Sequence, residues 1–253
     1  MQTFQELMAT FPDEPACRTY LTLRRWPSGP QCPICGNHKV YESTARPFHW
    51  QCRNKTDKHS NPYRFSVLVG TVFENTNVPL LTWFKVLYTM LQSKKGVSAL
   101  QIRRMFFGER SSTHTAWFVC HRLRAAMHDD GFKQLMGIVE IDETYIGGKQ
   151  SNRHWKDRQK YHGGGSANTG KTTMQNIRRM YPHGMVDHKA GEYVRGVVHT
   201  NNIESFWSLL KRGVMGTYHN VSAKYLPLYL AEFQFRHNHR KGRRYIRPSL
   251  AGC

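Results

Sequence analysis

The segment Gln31-Cys32-Pro33-Ile34-Cys35-Gly36 sets two thiolates within reach of one ion across a tight turn, and its glycine frees backbone N–H groups to face the sulfurs. A zinc ribbon completes such a knuckle with a second close pair of ligands, but here Cys52 is followed by Arg53-Asn54-Lys55. Structural zinc closes on four ligands. The expected set is therefore Cys32, Cys35, Cys52 and His59, with His49 competing from the other side of Cys52. The alternative is a ribbon that has lost its metal and persists as a bare hairpin fold. Cys17, Cys120 and Cys253 are isolated and read as ordinary buried or tail residues.

Upstream of the knuckle, residues 4–26 carry apolar side chains at helical spacing around Pro12 and Pro15, and Pro27-Ser28-Gly29-Pro30 stops this helical lead-in. Downstream, Tyr63-Arg64-Phe65-Ser66-Val67 reads as the last ribbon strand. Residues 79–92 (PLLTWFKVLYTMLQ) then form an apolar helix opened by Pro79, its aromatic stripe belonging to the core. A second helix follows Gly96-Val97-Ser98, a turn spans Gly108 to Ser112, and a third helix covers 113–127. Helix, short glycine-containing turn, helix is the helix-turn-helix pattern, and Arg122 and Arg124 would then face a major groove. The competing reading is a plain three-helix bundle whose charges only solvate it.

The chain has 253 residues with 37 Lys+Arg against 17 Asp+Glu, a formal net charge of +20 with its 14 His neutral. So strong a positive balance repels itself in a compact state unless a polyanion is near, and nucleic acid is the simplest such partner. A hydrophobic fraction of 39% is too rich for a disordered basic tail. No stretch approaches the roughly 20 apolar residues of a spanning helix, and MQTFQELMATFPDE lacks the layout of a secretory signal. The expectation is a cytoplasmic protein without membrane association, and a close cysteine pair among six in such a chain points to metal binding before disulfides.

Chemistry enters at Ile138-Val139-Glu140-Ile141-Asp142-Glu143-Thr144-Tyr145-Ile146, where alternation predicts a buried strand delivering carboxylates to a divalent cation, Asp142 foremost. Residues 199–212 (HTNNIESFWSLLKR) predict an amphipathic helix. Glu204 and Lys211 lie 7 positions apart on one face of it, with Asn201 on the same face. A carboxylate for metal and a lysine for phosphate would project together. A surface ion pair is the plainer reading.

Taken together, CPICG, the helix-turn-helix, VEIDETYIGGK, GEYVRGVVHTNNIESFWSLLKRG and TYHNVSAKYLPLYLAEFQFRHNHR resemble the ISXO-type insertion-sequence transposases over nearly the whole chain. These join a zinc ribbon to a DDE-type RNase H-like catalytic domain. The resemblance implies Asp142 as first catalytic metal ligand, Glu204 or Asn201 as third, and Lys211 as a DNA-contacting lysine. It also implies Mg²⁺ or Mn²⁺ beside the ribbon Zn²⁺, activating water or a DNA 3′-hydroxyl without a covalent protein nucleophile. Its partners are double-stranded DNA, both element ends and target, and further copies of itself in a homo-oligomer.

The implied architecture is multidomain α+β: a lead-in at 1–30, a zinc ribbon at 31–76, a helix-turn-helix region at 77–130, an RNase H-like domain at 131–240 and a basic tail at 241–253. One interval does not follow the family. Only 62 positions separate Asp142 from Glu204, and between Gly147 and Tyr193 the only Val, Ile, Leu or Phe residues are Ile177 and Val186. No buried strand can be written there. The expectation is an internal deletion near 171–180 that removed the central strands and the second catalytic Asp, leaving only Asp157 and Asp187 as substitutes.

Lys156, Arg158 and Lys171, with Arg153 and Lys160, form a glycine-spaced basic segment suited to phosphates, as do Arg212 and the run from Arg240 to Arg244. GGSANTGKT, residues 164–172, imitates a phosphate loop by chance, since no strand precedes it. Two function classes stand: a metal-dependent nicking and strand-transferring transposase, or a catalytically dead remnant that still binds DNA.

Overall fold

The computed structural model describes residues 3–55, 58–59, 62–108, 111–128, 139–142, 144, 146, 184, 186 and 190–240. The chain divides into two compact units, Met1–Phe132 with Gly213–Cys253, and Lys133–Arg212.

In the first unit the lead-in is two helices, α1 (Phe4–Thr10) and α2 (Glu14–Arg25). Pro12 separates them. Asp13 caps α2 by accepting from the Ala16 amide at 2.9 Å, and Pro15 sits in the first turn, where no intrahelical N–H is required of it. A three-stranded antiparallel sheet follows, β1 (Val40–Glu42), β2 (His49–Cys52) and β3 (Tyr63–Ser66), in the order β1-β2-β3. Its inner face carries Trp50, Cys52 and Phe65, all buried. Trp26, which ends α2, meets Trp50 edge-on at 5.2 Å between ring centroids.

Helices α3 (Leu80–Gln92), α4 (Ala99–Ile102, continued by a π-helical turn over Arg103–Phe107) and α5 (Thr113–Ala126) are the three helices expected from the periodicity. Their core is continuous with that of the lead-in and ribbon, because Phe11 packs edge-on against Phe84 at 4.7 Å. Segments expected as separate modules at 1–30, 31–76 and 77–130 therefore share one hydrophobic core.

The last helix of the described residues, α7 (Leu226–Asn238), packs on α5. The seam is ionic and fully buried. Glu232 accepts from Arg124 Nε at 2.7 Å and pairs with Arg236 at 2.7 Å, while Arg236 Nη1 donates to the α3 carbonyls of Met90 at 3.0 Å and Ser93 at 2.8 Å. Tyr218 donates to the same carboxylate, and Gly96 at φ 85° leaves room for its ring where a Cβ would collide.

The second unit contributes a short hairpin, β4 (Val194–Arg195) with β5 (Val198–His199), and most of helix α6 (Asn201–Gly213). The buried strand expected at 138–146 is not seen in its described residues. Residues 139–142 have no strand pairing, and Val139 and Ile141 are 44% and 41% exposed. A strand is buried only where neighbouring strands pair with it on a covered sheet, and the described residues of this unit offer none beyond the two-residue hairpin. No helix among the described residues is long and apolar enough to cross a membrane.

Candidate functional site

The ribbon gathers Cys32, Cys35, Cys52 and His59, whose ligand atoms all lie within 4.8 Å of one another. The knuckle is built by Gly36 at φ 73°, whose amide donates to the Cys32 carbonyl at 2.9 Å, while the Cys32 amide donates to Asn37 O at 3.0 Å. The amides of Ile34 and Cys35 face the Cys32 sulfur, and that of Asn37 faces the Cys35 sulfur. Cys52 ends β2, and His59 comes from the β2–β3 connection.

Cys35 Sγ is 3.7 Å from Cys52 Sγ, and His59 Nε2 is 3.7 Å from Cys32 Sγ and 3.4 Å from Cys35 Sγ. A tetrahedron with Zn–S of about 2.3 Å and Zn–N of about 2.0 Å has edges of about 3.8 Å between sulfurs and about 3.5 Å between sulfur and nitrogen. The observed spacings are those edges, and the donor set is one that zinc takes. His49 does not compete, because it lies on the opposite face of the sheet with its ring against Pro47 O at 3.0 Å. The His59 ring, with help from the Asn37 amide, lowers the Cys35 thiol to about 6, whereas burial raises that of Cys32. Burial also pushes Cys17 and Cys120 up to about 12, as suits inert core thiols. Cys253 lies outside the described residues.

In the second unit the residue that engages α6 is Glu140. It accepts from the Asn202 amide at 2.9 Å, the Ile203 amide at 3.0 Å and Asn202 Nδ2 at 2.6 Å, and pairs with His199 at 3.2 Å. Partial burial works against its charge, but these donors outweigh it and hold its carboxyl below the usual range. Helix amides left open at an N-terminus favour such an anion. Asp142 is exposed. Glu204 is half-buried and takes the Thr200 hydroxyl at 2.6 Å, while Asn201, Lys211 and Arg212 are exposed along α6. Among the described residues, the ribbon cluster is the only group of three or more His, Cys, Asp or Glu donors close enough for one ion. Asp142 and Glu204 belong to no such group among the described residues.

One expected DNA contact, Arg124, is corrected by burial. Arg124 is 2% exposed, bound to Glu232 and stacked over Tyr229 at 4.1 Å, so it cannot reach a groove. The physical reason is the returning helix α7, whose buried carboxylate requires a cation. Arg122 is half-buried, donating to Glu74 O at 2.9 Å beside Trp83 and Phe118. Arg153, Lys156, Asp157, Arg158, Lys160, Lys171, Asp187 and the tail beyond Arg240 lie outside the described residues.

Residues 12–54 match the transposase zinc-ribbon domain, which takes in three of the four ribbon ligands and stops short of His59. Residues 170–238 match the ISXO2-like transposase domain, which takes in Asn201, Glu204 and Lys211 but not Asp142. A Halobacterium salinarum protein described as an uncharacterized protein in transposable element ISH50 is 27% identical over 285 aligned positions, covering 90% of this chain and 92% of that protein. Those 285 positions exceed the 253 residues here, so at least 32 of them have no counterpart in this chain. No solved structure matches the chain. Residues 12–54 and 170–238 are thus similar to the zinc-ribbon and ISXO2-like domains of insertion-sequence transposases.

Proposed function

We propose that this protein is the DNA-binding product of an insertion-sequence transposase gene, keeping the part that holds element ends and lacking the central part that cuts. The observation that carries this reading is an asymmetry between the two units. Four ribbon donors close at the edges of a zinc tetrahedron, while Asp142 and Glu204 belong to no group of three or more His, Cys, Asp or Glu donors among the described residues. Structural Zn²⁺ at Cys32, Cys35, Cys52 and His59 would fold the ribbon outright.

Two supports are independent of side-chain geometry. At least 32 aligned positions of the ISH50 protein are missing here, and the ISXO2-like match begins only at residue 170, close to the interruption expected from the sequence. The ancestral activity in this reading is Mg²⁺- or Mn²⁺-dependent nicking and strand transfer in an RNase H-like domain, with Asp142, Glu204 or Asn201, and Lys211 as its residues. Holding two element ends together calls for a homo-oligomer on double-stranded DNA.

The test incubates purified protein with supercoiled plasmid and Mn²⁺ beside Asp142→Ala, Glu204→Ala and a chelator control, and runs gel retardation in parallel. Retarded DNA with equal background nicking in all four samples is the expected result. Nicking that disappears in both variants and with chelator would instead establish a working transposase, and Asp187 would be the next residue to replace.

A further inference from the structure

We propose that the outer face of the ribbon sheet is the surface that grips duplex DNA, an assignment that rests on the DNA-binding role above and gives it named residues. The sheet is two-sided. Its inner face is spent on the core through Trp50, Cys52 and Phe65. The other face carries the cross-strand row Tyr41, Gln51 and Arg64, in register across all three strands. Arg53 lies over the Tyr41 ring at 5.1 Å, and Lys39 stands immediately before β1.

Charge decides what this face can bind. Among the described residues, Lys39, Arg53 and Arg64 take part in no ion pair, and all three are exposed. Glu42, the acid next to Tyr41 in β1, belongs to the other face and accepts from the Phe48 amide at 3.1 Å, while Asp57 lies outside the described residues. Among the described residues these three cations form no ion pair, and with a Tyr ring that is 56% exposed they make a basic surface suited to a phosphate backbone. Stacking on Tyr41 holds the Arg53 guanidinium flat and leaves its N–H edge free for phosphate oxygen or a base edge.

The helix expected to read DNA is poorly equipped by comparison. On α5, Arg124 is buried and Arg122 is tied to Glu74, leaving Thr113, His114, Phe118 and Ala125 as the exposed positions. The cations that the bundle spends on its own packing are free on the ribbon.

The experiment measures affinity for a labelled random duplex of about 30 base pairs by fluorescence anisotropy, between about 50 and 200 mM salt. Arg53→Glu with Arg64→Glu is compared with Arg24→Glu with Lys224→Glu, which makes the same change in net charge away from this face. One zinc per chain is required of both. The ribbon-face pair is expected to weaken binding at least about 10-fold and to flatten the salt dependence by about two ion equivalents, the control pair by less than about 3-fold. If the reversal loses zinc, Arg53→Gln with Arg64→Gln should flatten the salt dependence by the same amount. Equal losses in the two charge-reversed pairs overturn the ribbon face and leave DNA binding standing; failure of the unaltered protein to bind overturns both.

Discussion

The zinc ribbon and the acid segment treat their ligands in opposite ways. Cys32, Cys35, Cys52 and His59 span 28 residues, and two short hairpin connections bring them together. Asp142 and Glu204 stand 62 positions apart, and in a catalytic sheet their meeting depends on central strands holding both ends of that interval. A metal centre made by local turns survives the loss of distant chain. A centre made by a sheet does not, because each strand needs its neighbours to satisfy backbone groups and cover its faces.

The largest expected effect comes from removing a ribbon ligand. Cys52→Ser should abolish stoichiometric zinc, since apparent zinc binding in small ribbons is worth about 10–16 kcal/mol and is coupled to folding. Because Trp26, Trp50 and Phe65 join the ribbon to the helical core, the helical unfolding transition should also shift downward in circular dichroism. An unchanged transition would show that the ribbon is energetically separate despite the shared core.

Next in size is the seam between α5 and α7. Glu232→Ala leaves Arg124 and Arg236 buried without their carboxylate and should cost about 3–5 kcal/mol in denaturant unfolding. Zinc content should be unaffected, which would separate this seam from the ribbon.

Acid sharpens the contrast by acting on both regions through different groups. Burial, and then the Arg124 charge, lowers the His121 ring to about 4. The folded chain therefore declines a proton that the unfolded chain accepts near its ordinary value of about 6.5, so stability falls as pH drops from there toward about 4, by up to roughly 3 kcal/mol. In the ribbon the Cys35 thiol is held down at about 6, so its contribution is complete above its ordinary range and is lost as pH falls through about 6. Zinc release, followed by a chromogenic chelator, and the acid transition of the helices should therefore answer to different substitutions. His121→Phe should remove the latter's pH dependence and leave zinc release unchanged.

The smallest expected effect is at Glu140. Glu140→Ala withdraws the carboxylate from the first amides of α6 and should cost about 1 kcal/mol locally, seen as faster hydrogen exchange over 201–205. Asp142→Ala, whose carboxylate is exposed, should leave that exchange unchanged.

Much of this molecule is visible in its sequence wherever the signal is local. The Cys32–Cys35 spacing, the selection of His59, the Pro79 start of α3 and the boundaries of α5 all follow from turn chemistry and 3.6-residue periodicity, which act within a few residues. The alternation at Val139 and Ile141 has the same form, yet it predicts a strand that its described residues do not make. Alternation states which face would be buried, and only neighbouring strands can bury it.

The sequence alone therefore determined the four clustered ribbon donors and the helices, since composition and spacing are properties of contiguous chain. Only the tertiary structure decided that Arg124 is an internal cation, that its partner is Glu232, 108 positions away, and that Glu140 engages a helix 62 positions on. Whether a charge meets water, a phosphate or a buried carboxylate depends on what the rest of the chain packs against it, and no periodicity records that.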